Sequence, residues 1–377
     1  MATPLQITLR ELEALGLEDE AGRPLVESEP LLPEHEVPIL PLAFGDGDFT
    51  DRRIVEHPFA GAWRETMYRP APVRLYRLRD ACVHSTAGVT MLANRLVAET
   101  LQHVHPPDHG MEVDPESGFT TLQSASVRRV AGRAVHLLAA GAFNYYHWQI
   151  DAVSRLPPLP DRYRDDLILV PPLEHAFQTD TLVRLAGDRP IRAHAIATAE
   201  SVLVEELVLI PNLSGFGYYP HPDMLAAFDR LVASVGAAAP HRRLYIQRTR
   251  SPKRRLENEA EVIALLAGAG YEILDLDGLS LADQIRSFAE ATHVVGPHGA
   301  GLTNLVFCRP GTLVCELQMD CYMNWLFRRL SNLRGVRYGY VMGEIQGPWE
   351  AVWPHDRTWR VPLDRARETL AEAGFLT

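Results

Sequence analysis

The sequence predicts an α/β fold, in which parallel strands alternate with helices, from two observations. Short apolar runs, such as residues 167–170 and 244–247, recur between segments with helical periodicity, such as residues 175–186 and 259–267. Prolines follow several of these runs and keep them at strand length. Such alternation is typical of a parallel sheet that carries helices on both faces.

The first half of the chain divides into an irregular start and a regular region. Residues 1–75 are rich in Pro, Glu and Asp with weak periodicity, so we expect an irregular lead-in that wraps on the body. Further on, Pro157 and Pro158 end the first predicted helix. The predicted elements are strand 135–140, helix 144–156, strand 167–170, helix 175–186 and extended segments 191–196 and 201–210.

The second half repeats this rhythm after a small-residue hinge at residues 237–240. Asn258 and Glu261 form a predicted capping pair at one helix start. The hinge gives two domains, residues 1–238 and 239–377, and the last helix is a candidate to pack back on the first domain. The predicted elements are strand 244–247, helix 259–267, strand 271–274, helix 281–291, strand 293–296, a helix from 302, strand 312–317 and a final helix 363–374.

Composition narrows the classes of function. The chain has 377 residues, a length that suits two domains, and its net charge of −11 argues against a nucleic-acid partner. The four cysteines lack metal-ligand spacing, which predicts reduced thiols in a cytoplasmic protein. The amino terminus has no basic start or long apolar run, so we expect no signal peptide, and we also expect no membrane span. Peripheral membrane contact and the oligomeric state stay open.

Residues 292–307 form the most informative segment: a strand that ends at Gly296, a glycine-rich turn and the start of a helix. Backbone N–H groups at such a helix start, together with the helix dipole, form an anion site that glycines let a phosphate approach. The glycine spacing differs from the dinucleotide fingerprint, so we do not expect NAD. The candidate ligand contacts are the turn, the first helical turn and the acid in the next strand: His298, Gly299, Ala300, Gly301, Thr303, Asn304 and Glu316.

A basic loop follows the predicted strand 244–247. Five of the eight residues from Arg248 to Arg255 are cationic in an otherwise acidic chain, and ligands of open α/β sheets bind at the carboxyl ends of strands. Arginine grips phosphate with two donors, so Arg248 and Arg255 are the leading candidates for an anionic ligand, with Lys253 as the third. A solvated basic loop is the alternative for Lys253.

Three blocks in this order resemble the glycosyltransferase 61 family: residues 143–156, residues 243–259 and the turn extended through residue 317. The resemblance covers roughly residues 130–320. It implies a GT-B architecture, with two Rossmann-like domains facing across a cleft, and an inverting transfer without metal or cofactor. In such a fold Glu316 is placed to hold the ribose hydroxyls of the donor.

The resemblance also implies the partners. The donor is a nucleotide sugar, which we expect to be UDP-linked, and the acceptor is a glycan. Bacterial members of the family lie near polysaccharide genes, so a lipopolysaccharide or capsule chain is the expected acceptor. With such an acceptor, we expect a cytoplasmic protein that lies at the inner face of the membrane. The chain departs from the family pattern before residue 130, where acceptor recognition would lie.

The first block carries the candidate base. His147 and Asp151 lie four residues apart on the predicted helix and share a face. The inverting transfer that the resemblance implies needs a base for the acceptor hydroxyl, and a His–Asp pair supplies a base with an orienting partner. We favour Asp151 as the base. The opposite order stays open, as does a pair that only braces the helix against the sheet.

A second motif supports a rival function. His103-Val-His-Pro-Pro-Asp-His109 resembles the metal-binding motif of metallo-β-lactamase-like hydrolases, with one extra residue before the aspartate. Residues 92–102 have helical periodicity, whereas that motif follows a strand. The alternatives to a transferase are therefore a non-catalytic module that binds a sugar nucleotide or glycan, and a metal-dependent hydrolase built on His103, His105, Asp108 and His109.

Overall fold

The computed structural model describes residues 6–45, 60–113, 120–248, 251–346 and 356–376. The chain divides into two compact units. Unit 1 comprises Met1–His35 and Pro70–Phe216, and unit 2 comprises Glu36–Arg69 and Gly217–Thr377. This division differs from a single boundary after residue 238, because a piece of the early chain joins unit 2.

The elements of the described residues are numbered along the chain. The strands are β1 (Gln6–Ile7), β2 (Val26–Leu32), β3 (Val37–Pro38), β4 (Met67–Tyr68), β5 (Val73–His84), β6 (Val89–Leu92), β7 (Arg95–Val97), β8 (Met111–Val113), β9 (Thr120–Leu122), β10 (Ser126–His136), β11 (Leu167–Val170), β12 (Ala193–Ala195), β13 (Glu200–Leu209), β14 (Arg242–Ile246), β15 (Arg255–Leu256), β16 (Glu272–Leu274), β17 (Ala291–Pro297), β18 (Leu313–Met319), β19 (Arg337–Ile345) and β20 (Thr358–Arg360). The α-helices are α1 (Leu9–Ala14), α2 (Ala60–Trp63), α3 (Ala176–Ala186), α4 (Leu225–Ala233), α5 (Glu259–Gly268), α6 (Leu281–Ala289), α7 (Leu326–Arg334) and α8 (Leu363–Glu372). A π-helical turn spans His147–Ala152, and 3-10 segments span Ala98–Thr100, Pro106–His109, Val153–Arg155, Asp161–Tyr163, Gly215–Gly217, Pro222–Met224, Leu276–Gly278 and Ala300–Phe307.

Unit 1 is built on a sheet whose described strands lie in the order β1-β7-β6-β5-β13-β10-β11-β12, with β2 also paired to β5. Because β2 pairs antiparallel with β5 and a capping box at Thr8 starts α1, the irregular lead-in expected at the start of the chain is wrong. The helix expected over residues 92–102 is also wrong, since β7 and a 3-10 turn lie there. Pairing with distant strands outweighs the local pattern in both places.

The carboxyl half of unit 1 is a parallel arrangement of strands. β10, β11, β12 and β13 run parallel in the spatial order β13-β10-β11-β12. Chain order therefore reverses between β10 and β13, and ligands of open α/β sheets bind beside the carboxyl ends of strands at such a point. Trp148 and Val153, which follow β10, pack with Val170 and Leu182 in a core that fixes this end of the sheet.

Unit 2 carries a sheet with the described order β15-β20-β19-β18-β17-β14-β16. The strands β16-β14-β17-β18-β19 are parallel, so the chain fills them in the order second, first, third, fourth and fifth. This is a doubly wound, Rossmann-like arrangement in which chain order reverses between β14 and β17. β18 is buried along its whole length, as expected for a central parallel strand. The predicted α/β class is confirmed.

A segment of the early chain completes unit 2. β3 pairs with β4, and the Leu40 backbone N–H donates to Asn332 Oδ1 at 2.7 Å. The buried Arg329 guanidinium donates to Glu65 on the same segment. Contacts across almost 300 positions of sequence thus place residues 36–69 in unit 2.

The helices of unit 2 differ in how they begin. α6 begins after Ser280, whose hydroxyl accepts from the Asp283 backbone N–H. Asn258 makes no such side-chain bond at the start of α5 and instead holds the backbone of Val361, so the predicted capping pair is wrong. α8 packs in the core of unit 2, and its packing on the first domain stays a prediction. No helix among the described residues has both the length and the apolar character needed to cross a membrane.

Candidate functional site

His147 and Asp151 lie beside the point in unit 1 where chain order reverses, in the helical segment that follows β10. The π-helical turn from His147 to Ala152 brings the two side chains together, with His147 Nδ1 2.7 Å from Asp151 Oδ2. The segment starts at Asn144, whose side-chain oxygen accepts from the Tyr146 backbone N–H at 2.9 Å. The structure therefore forms the predicted pair.

The Asp151 carboxylate is buried and engaged on both oxygens. Only 2% of the residue is exposed, and its second oxygen accepts from Asn212 Nδ2 at 2.8 Å. Burial by itself raises the pKa of Asp151, but hydrogen bonds from His147, Ser214 and Asn212 outweigh it and hold that pKa below its usual value. His147 keeps 28% of its side chain exposed. His147 is therefore the more accessible member of the pair, and the choice of base, for which the sequence favours Asp151, stays a prediction.

A glycine gives the His147 ring its place. Gly141 has a φ of +78°, which side chains rarely adopt, and a Cβ on it would lie 2.9 Å from His147 Cδ2. Alanine at this position would therefore push the imidazole away from Asp151. Sequence reasoning missed Gly141, because nothing in the residue pattern shows which ring packs against it.

Behind the pair, unit 1 contains a small cavity of about 30 Å³, which both polar and apolar residues line. That volume suits one or two water molecules and is too small for a sugar. Arg155 lines the cavity and donates to the backbone carbonyls of Leu138, Ala152 and Ile210. Burial lowers the pKa of Arg155 to about 10, an effect that the Asp151 charge partly offsets. Arg155 is therefore still a cation at neutral pH.

His136 lines the same cavity in a neutral state. Its Nε2 donates to the Gly88 carbonyl at 2.7 Å, and its Nδ1 has no hydrogen-bond partner among the described residues. Burial, with a smaller effect from the Arg155 charge, lowers the pKa of His136 to about 3. On the other side, Gln102 Oε1 accepts from Asn212 Nδ2 at 2.9 Å, which ties the partner of the buried carboxylate to a second amide.

The histidine-rich segment does not form the predicted hydrolase site. His105 Nδ1 lies 3.3 Å from Asp108 with both side chains exposed, whereas His109 is held at the end of β5. The His103 ring instead lies against the His147 ring, with centroids 5.3 Å apart. Among the described residues, the four side chains of the motif share no common ligand point. The residues proposed for a metal hydrolase are thus not brought together.

The glycine-rich turn occupies the corresponding point of unit 2, between β17 and the 3-10 segment and beside the end of β14. Arg248, two residues after β14, packs on it: a Cβ on Gly299 would lie 1.9 Å from Arg248 Nη1. Position 299 needs glycine for space alone, since its φ of 170° is ordinary extended backbone. Ala300 and Gly301 begin the 3-10 segment, where backbone N–H groups lack partners within the helix. The structure therefore joins the basic loop to the turn.

The hydrogen bonds and the charge of Arg248 show which of its donors a ligand could use. Its Nη2 donates to Ser251 Oγ at 2.8 Å and its backbone N–H donates to Glu259 Oε1 at 2.6 Å. Its Nε has no hydrogen-bond partner among the described residues. Burial and the neighbouring Arg254 charge lower the pKa of Arg248 to about 10, so it is a cation at neutral pH. A half-buried cation with an unused donor suits an anionic ligand.

Arg254 lies close enough to Arg248 for its charge to lower the pKa of that residue, whereas the ligand contact of Arg255 stays a prediction. The Arg254 guanidinium lies 5.3 Å from the centre of the Tyr322 ring. Burial lowers the pKa of the nearby His298, and the Arg254 charge adds to that effect. Arg255 keeps 63% of its side chain exposed. Arg254 lies in a bend with a φ of +51°, directly before β15, and the sequence does not show that this bend turns Arg254 inward and leaves Arg255 exposed.

His298 and Glu316 form a buried pair within the core. His298 Nδ1 lies 2.5 Å from one oxygen of Glu316, and the other oxygen accepts from the Tyr338 hydroxyl. Asn324 Nδ2 lies 3.2 Å from His298 Nε2. Glu316 has no exposed surface and both of its oxygens are engaged, and its predicted contact with the donor ribose stays a prediction. The His298–Glu316 pair therefore links the turn to β18.

The remaining predicted contacts divide between buried and exposed positions. Asn304 is buried, and its Nδ2 donates to Gln284 Oε1 and to the Gly301 carbonyl, each at 3.1 Å. Thr303 is also fully buried. Both side chains are buried beside the turn, and their predicted contact with the diphosphate stays a prediction. Lys253 is exposed, and its role in ligand binding stays a prediction.

Comparison with known proteins bears on the family. Residues 145–315 match the glycosyltransferase 61 family. This region belongs to that family. The chain is also similar to a beta-1,2-xylosyltransferase of Oryza sativa subsp. japonica, at 35% identity over 92 residues, which cover 22% of this chain and 17% of the relative. A beta-1,2-xylosyltransferase of Arabidopsis thaliana is 32% identical over 60 residues, 16% of this chain and 11% of the relative. The chain thus spans less than a fifth of the length of either relative.

The glycosyltransferase 61 match confirms the resemblance read from the three sequence blocks. The matched region starts two residues before His147 and ends one residue before Glu316. It contains Asp151 in unit 1 and both Arg248 and Gly299 in unit 2. Residues of the site that sequence reasoning did not select also lie in this glycosyltransferase 61 region: Arg155, Asn212 and Arg254.

Proposed function

We propose that this chain is an inverting, metal-independent glycosyltransferase that moves a sugar from a UDP-linked donor to a hydroxyl of a glycan acceptor. One observation carries the proposal. The glycosyltransferase 61 match spans both a carboxylate-held histidine in unit 1 and an arginine-lined glycine turn in unit 2. In this proposal the units are the two Rossmann-like halves of a GT-B enzyme, unit 1 serving the acceptor and unit 2 the donor.

His147 acts as the general base in this scheme. The acceptor oxygen attacks the anomeric carbon of the donor from the face opposite the leaving group, and its proton passes to His147 Nε2. Asp151 holds the Nδ1–H of the ring at 2.7 Å and stabilises the imidazolium that forms. The proton then leaves through the exposed edge of the ring to solvent. Attack from the opposite face inverts the anomeric centre.

Unit 2 stabilises the leaving group. The bond that breaks joins the anomeric carbon to the diphosphate oxygen, and the electron pair leaves with UDP. Arg248, through its unused Nε donor, and Arg254 supply positive charge, and the turn at Gly299 adds backbone N–H groups. Two guanidinium groups offset the negative charge that a divalent metal offsets in other transferases, so the scheme needs no cofactor.

The choice of sugars rests on the family. Both relatives are named for beta-1,2-xylosyl transfer, so we propose UDP-xylose as the first donor to test. We propose a polysaccharide or lipopolysaccharide chain as the acceptor, which would place the protein in the cytoplasm at the inner face of the membrane.

A donor screen tests the proposal. The full chain is mixed with UDP-xylose and a panel of other nucleotide sugars, thermal unfolding is followed, and released UDP is measured with glycan acceptors. A donor present at about 100 times its Kd stabilises the folded state by about 2.7 kcal/mol, which is a readily measured rise in Tm. We expect one UDP-sugar to raise the Tm and to be consumed. Stabilisation by no nucleotide sugar contradicts the proposal, and stabilisation without turnover indicates a sugar-nucleotide-binding module instead.

A further inference from the structure

Three side chains of unit 1, one of which is the proposed base, lie close together, although the sequence does not group them. His103, His147 and Asp151 each offer a ligand atom within 4.8 Å of the atoms offered by the other two. Two imidazoles and one carboxylate are a ligand set of catalytic zinc sites, which keep further positions for water. His103 is exposed and His147 is half-buried, so an ion has a route from solvent.

We propose that His103, His147 and Asp151 bind one divalent transition-metal ion, of which Zn²⁺ is the best match, and that the bound ion inhibits sugar transfer. The ligand chemistry favours zinc over magnesium or calcium, because imidazole nitrogens suit zinc whereas the lighter ions prefer oxygen ligands. The inhibition rests on the proposed function, and the metal site itself does not.

Hydrogen bonds already hold these ligands near one another. Gln102 Nε2 lies 3.2 Å from His103 Nε2, and Gln102 Oε1 accepts from Asn212, which also donates to Asp151. Asp151 in turn holds His147 at 2.7 Å. Two zinc–ligand bonds of about 2.1 Å place ligand atoms at most about 4.2 Å apart, so closing the site needs a shift of well under 1 Å.

The backbone supports the same arrangement. His103 has a φ of +59°, a conformation in which histidine is less rare than most side chains. This conformation turns its ring towards His147 and away from the rest of the histidine-rich segment, with ring centroids 5.3 Å apart. A single ion at this point is therefore distinct from a two-metal site built on the whole segment.

The inhibition follows from which lone pair the ion takes. In the proposed reaction His147 Nε2 must be free to accept the acceptor proton, and a metal ion on the imidazole removes that capacity. The ion takes Nδ1 of His147, which lies 2.7 Å from Asp151 Oδ2, and the carboxylate completes the set. The imidazole proton then moves from Nδ1 to Nε2, so Nε2 can no longer accept one. A chelator that removes the ion lets the proton return to Nδ1 and restores the reaction.

A titration of the full chain tests the site. The full chain is first freed of metal with a chelator and then titrated with Zn²⁺ against a chromophoric competitor. A second sample is loaded with Co²⁺, whose ligand-field spectrum reports the ligand atoms. We expect one equivalent of bound ion and a Co²⁺ spectrum of nitrogen and oxygen ligands without a thiolate band. His103→Asn should weaken binding by about 100-fold, because asparagine tolerates the positive φ but supplies no imidazole.

His105→Asn is the matched control, since it removes a histidine two residues away whose side chain is 71% exposed. We expect it to bind Zn²⁺ like the wild type. No bound equivalent in the wild type, an equal loss in both variants, or a thiolate spectrum would each overturn the metal site.

An activity measurement compares the sugar-transfer rate of each protein in the presence of Zn²⁺ with the rate of the same protein without metal. Saturating Zn²⁺ should lower wild-type transfer at least about tenfold, and the same Zn²⁺ concentration should leave His103→Asn near its own metal-free rate. A rise in rate with Zn²⁺ would overturn the inhibition and make the ion a cofactor. If the chain transfers no sugar, the proposed function fails while the titration still decides the metal site. If it transfers sugar but binds no ion, only the present inference fails.

Discussion

In unit 1 the carboxyl ends of β10 and β13 carry a histidine, the carboxylate that orients it and an amide that holds the carboxylate. In unit 2 the carboxyl ends of β14 and β17 carry two arginines and a glycine turn. Both groups lie where the chain order of a parallel sheet reverses. Topology therefore sets where each group forms, and the residues that follow the strands set its chemistry: an imidazole–carboxylate pair in unit 1 and guanidinium groups in unit 2.

Two arginines, the buried Arg155 and the half-buried Arg248, show the same contrast between the units. Burial lowers the pKa of both Arg155 in unit 1 and Arg248 in unit 2 to about 10. The guanidinium of Arg155 donates to three backbone carbonyls, which makes it a structural cation. Arg248 has an Nε without a partner among the described residues and a glycine turn against its Nη1. A shifted pKa alone does not separate a structural arginine from a ligand-binding one, whereas the hydrogen bonds do.

The largest expected effect comes from removing the base of unit 1. His147→Ala should lower kcat by about 10²- to 10⁴-fold, the usual contribution of general-base catalysis. Added imidazole should restore part of this activity. Asp151→Asn should also lose activity but should gain nothing from imidazole, since the base itself is still present. Rescue of Asp151→Asn by imidazole, with none for His147→Ala, would return the role of base to Asp151.

Removing a cation of unit 2 should give a smaller effect of a different kind. Arg248→Ala should weaken UDP binding by about 10- to 150-fold, because one hydrogen bond to a charged group contributes about 1.5–3 kcal/mol. Arg255→Ala is the matched control, with 63% of its side chain exposed, and should bind UDP like the wild type. Equal losses in the two variants would mean that the loop acts through its net charge and not through one half-buried guanidinium.

The two glycines allow a paired test across the units. Gly141→Ala should displace His147 and lower kcat by about tenfold, whereas Gly299→Ala should displace Arg248 and weaken donor binding by about tenfold. Circular dichroism checks that both variants fold. If both variants changed kcat and donor affinity alike, the separation of roles between the units would fail.

The smallest expected effect concerns acid stability in unit 1. The pKa of His136 is about 3 in the folded chain against an ordinary value of 6.5. Above pH 6.5 the residue is neutral in both states and does not change stability with pH. As pH falls from 6.5 towards 3, the unfolded chain takes up a proton that the folded chain excludes, so stability falls by up to about 1.4 kcal/mol per pH unit.

Urea unfolding at several pH values measures that dependence. His136→Gln, which keeps a donor for the Gly88 carbonyl and cannot take up the proton, should lose less stability between pH 6.5 and pH 4 than the wild type. His105→Gln, at an exposed position, controls for the loss of a histidine. Identical pH dependence in the wild type and His136→Gln would show that the buried imidazole does not limit acid stability.

The sequence predicts the local elements well where they form between near neighbours. β11 is predicted to the residue, because an apolar run between an acidic loop and two prolines has one local solution. The helix before β12 is also predicted within one residue. The start of the chain is different: β2 depends on β5, and residues 36–69 depend on α7, so their partners are absent from any local window.

The sequence also predicts only part of the candidate site. Residue types and spacing predict that His147 meets Asp151 and that Arg248 meets the glycine turn. They do not predict which member of the pair is buried, which of Arg254 and Arg255 faces inward, or that Glu316 is enclosed. These outcomes depend on tertiary burial and on Asn212, which lies in a loop without periodicity, 61 positions from Asp151.

In the proposed function, unit 1 supplies the base and unit 2 holds the donor diphosphate. Calorimetric titration of UDP into His147→Ala and Arg248→Ala separates these two roles. We expect His147→Ala to bind UDP within about twofold of the wild type and Arg248→Ala to bind it at least about tenfold more weakly. Weakened binding in His147→Ala together with wild-type binding in Arg248→Ala would contradict these roles.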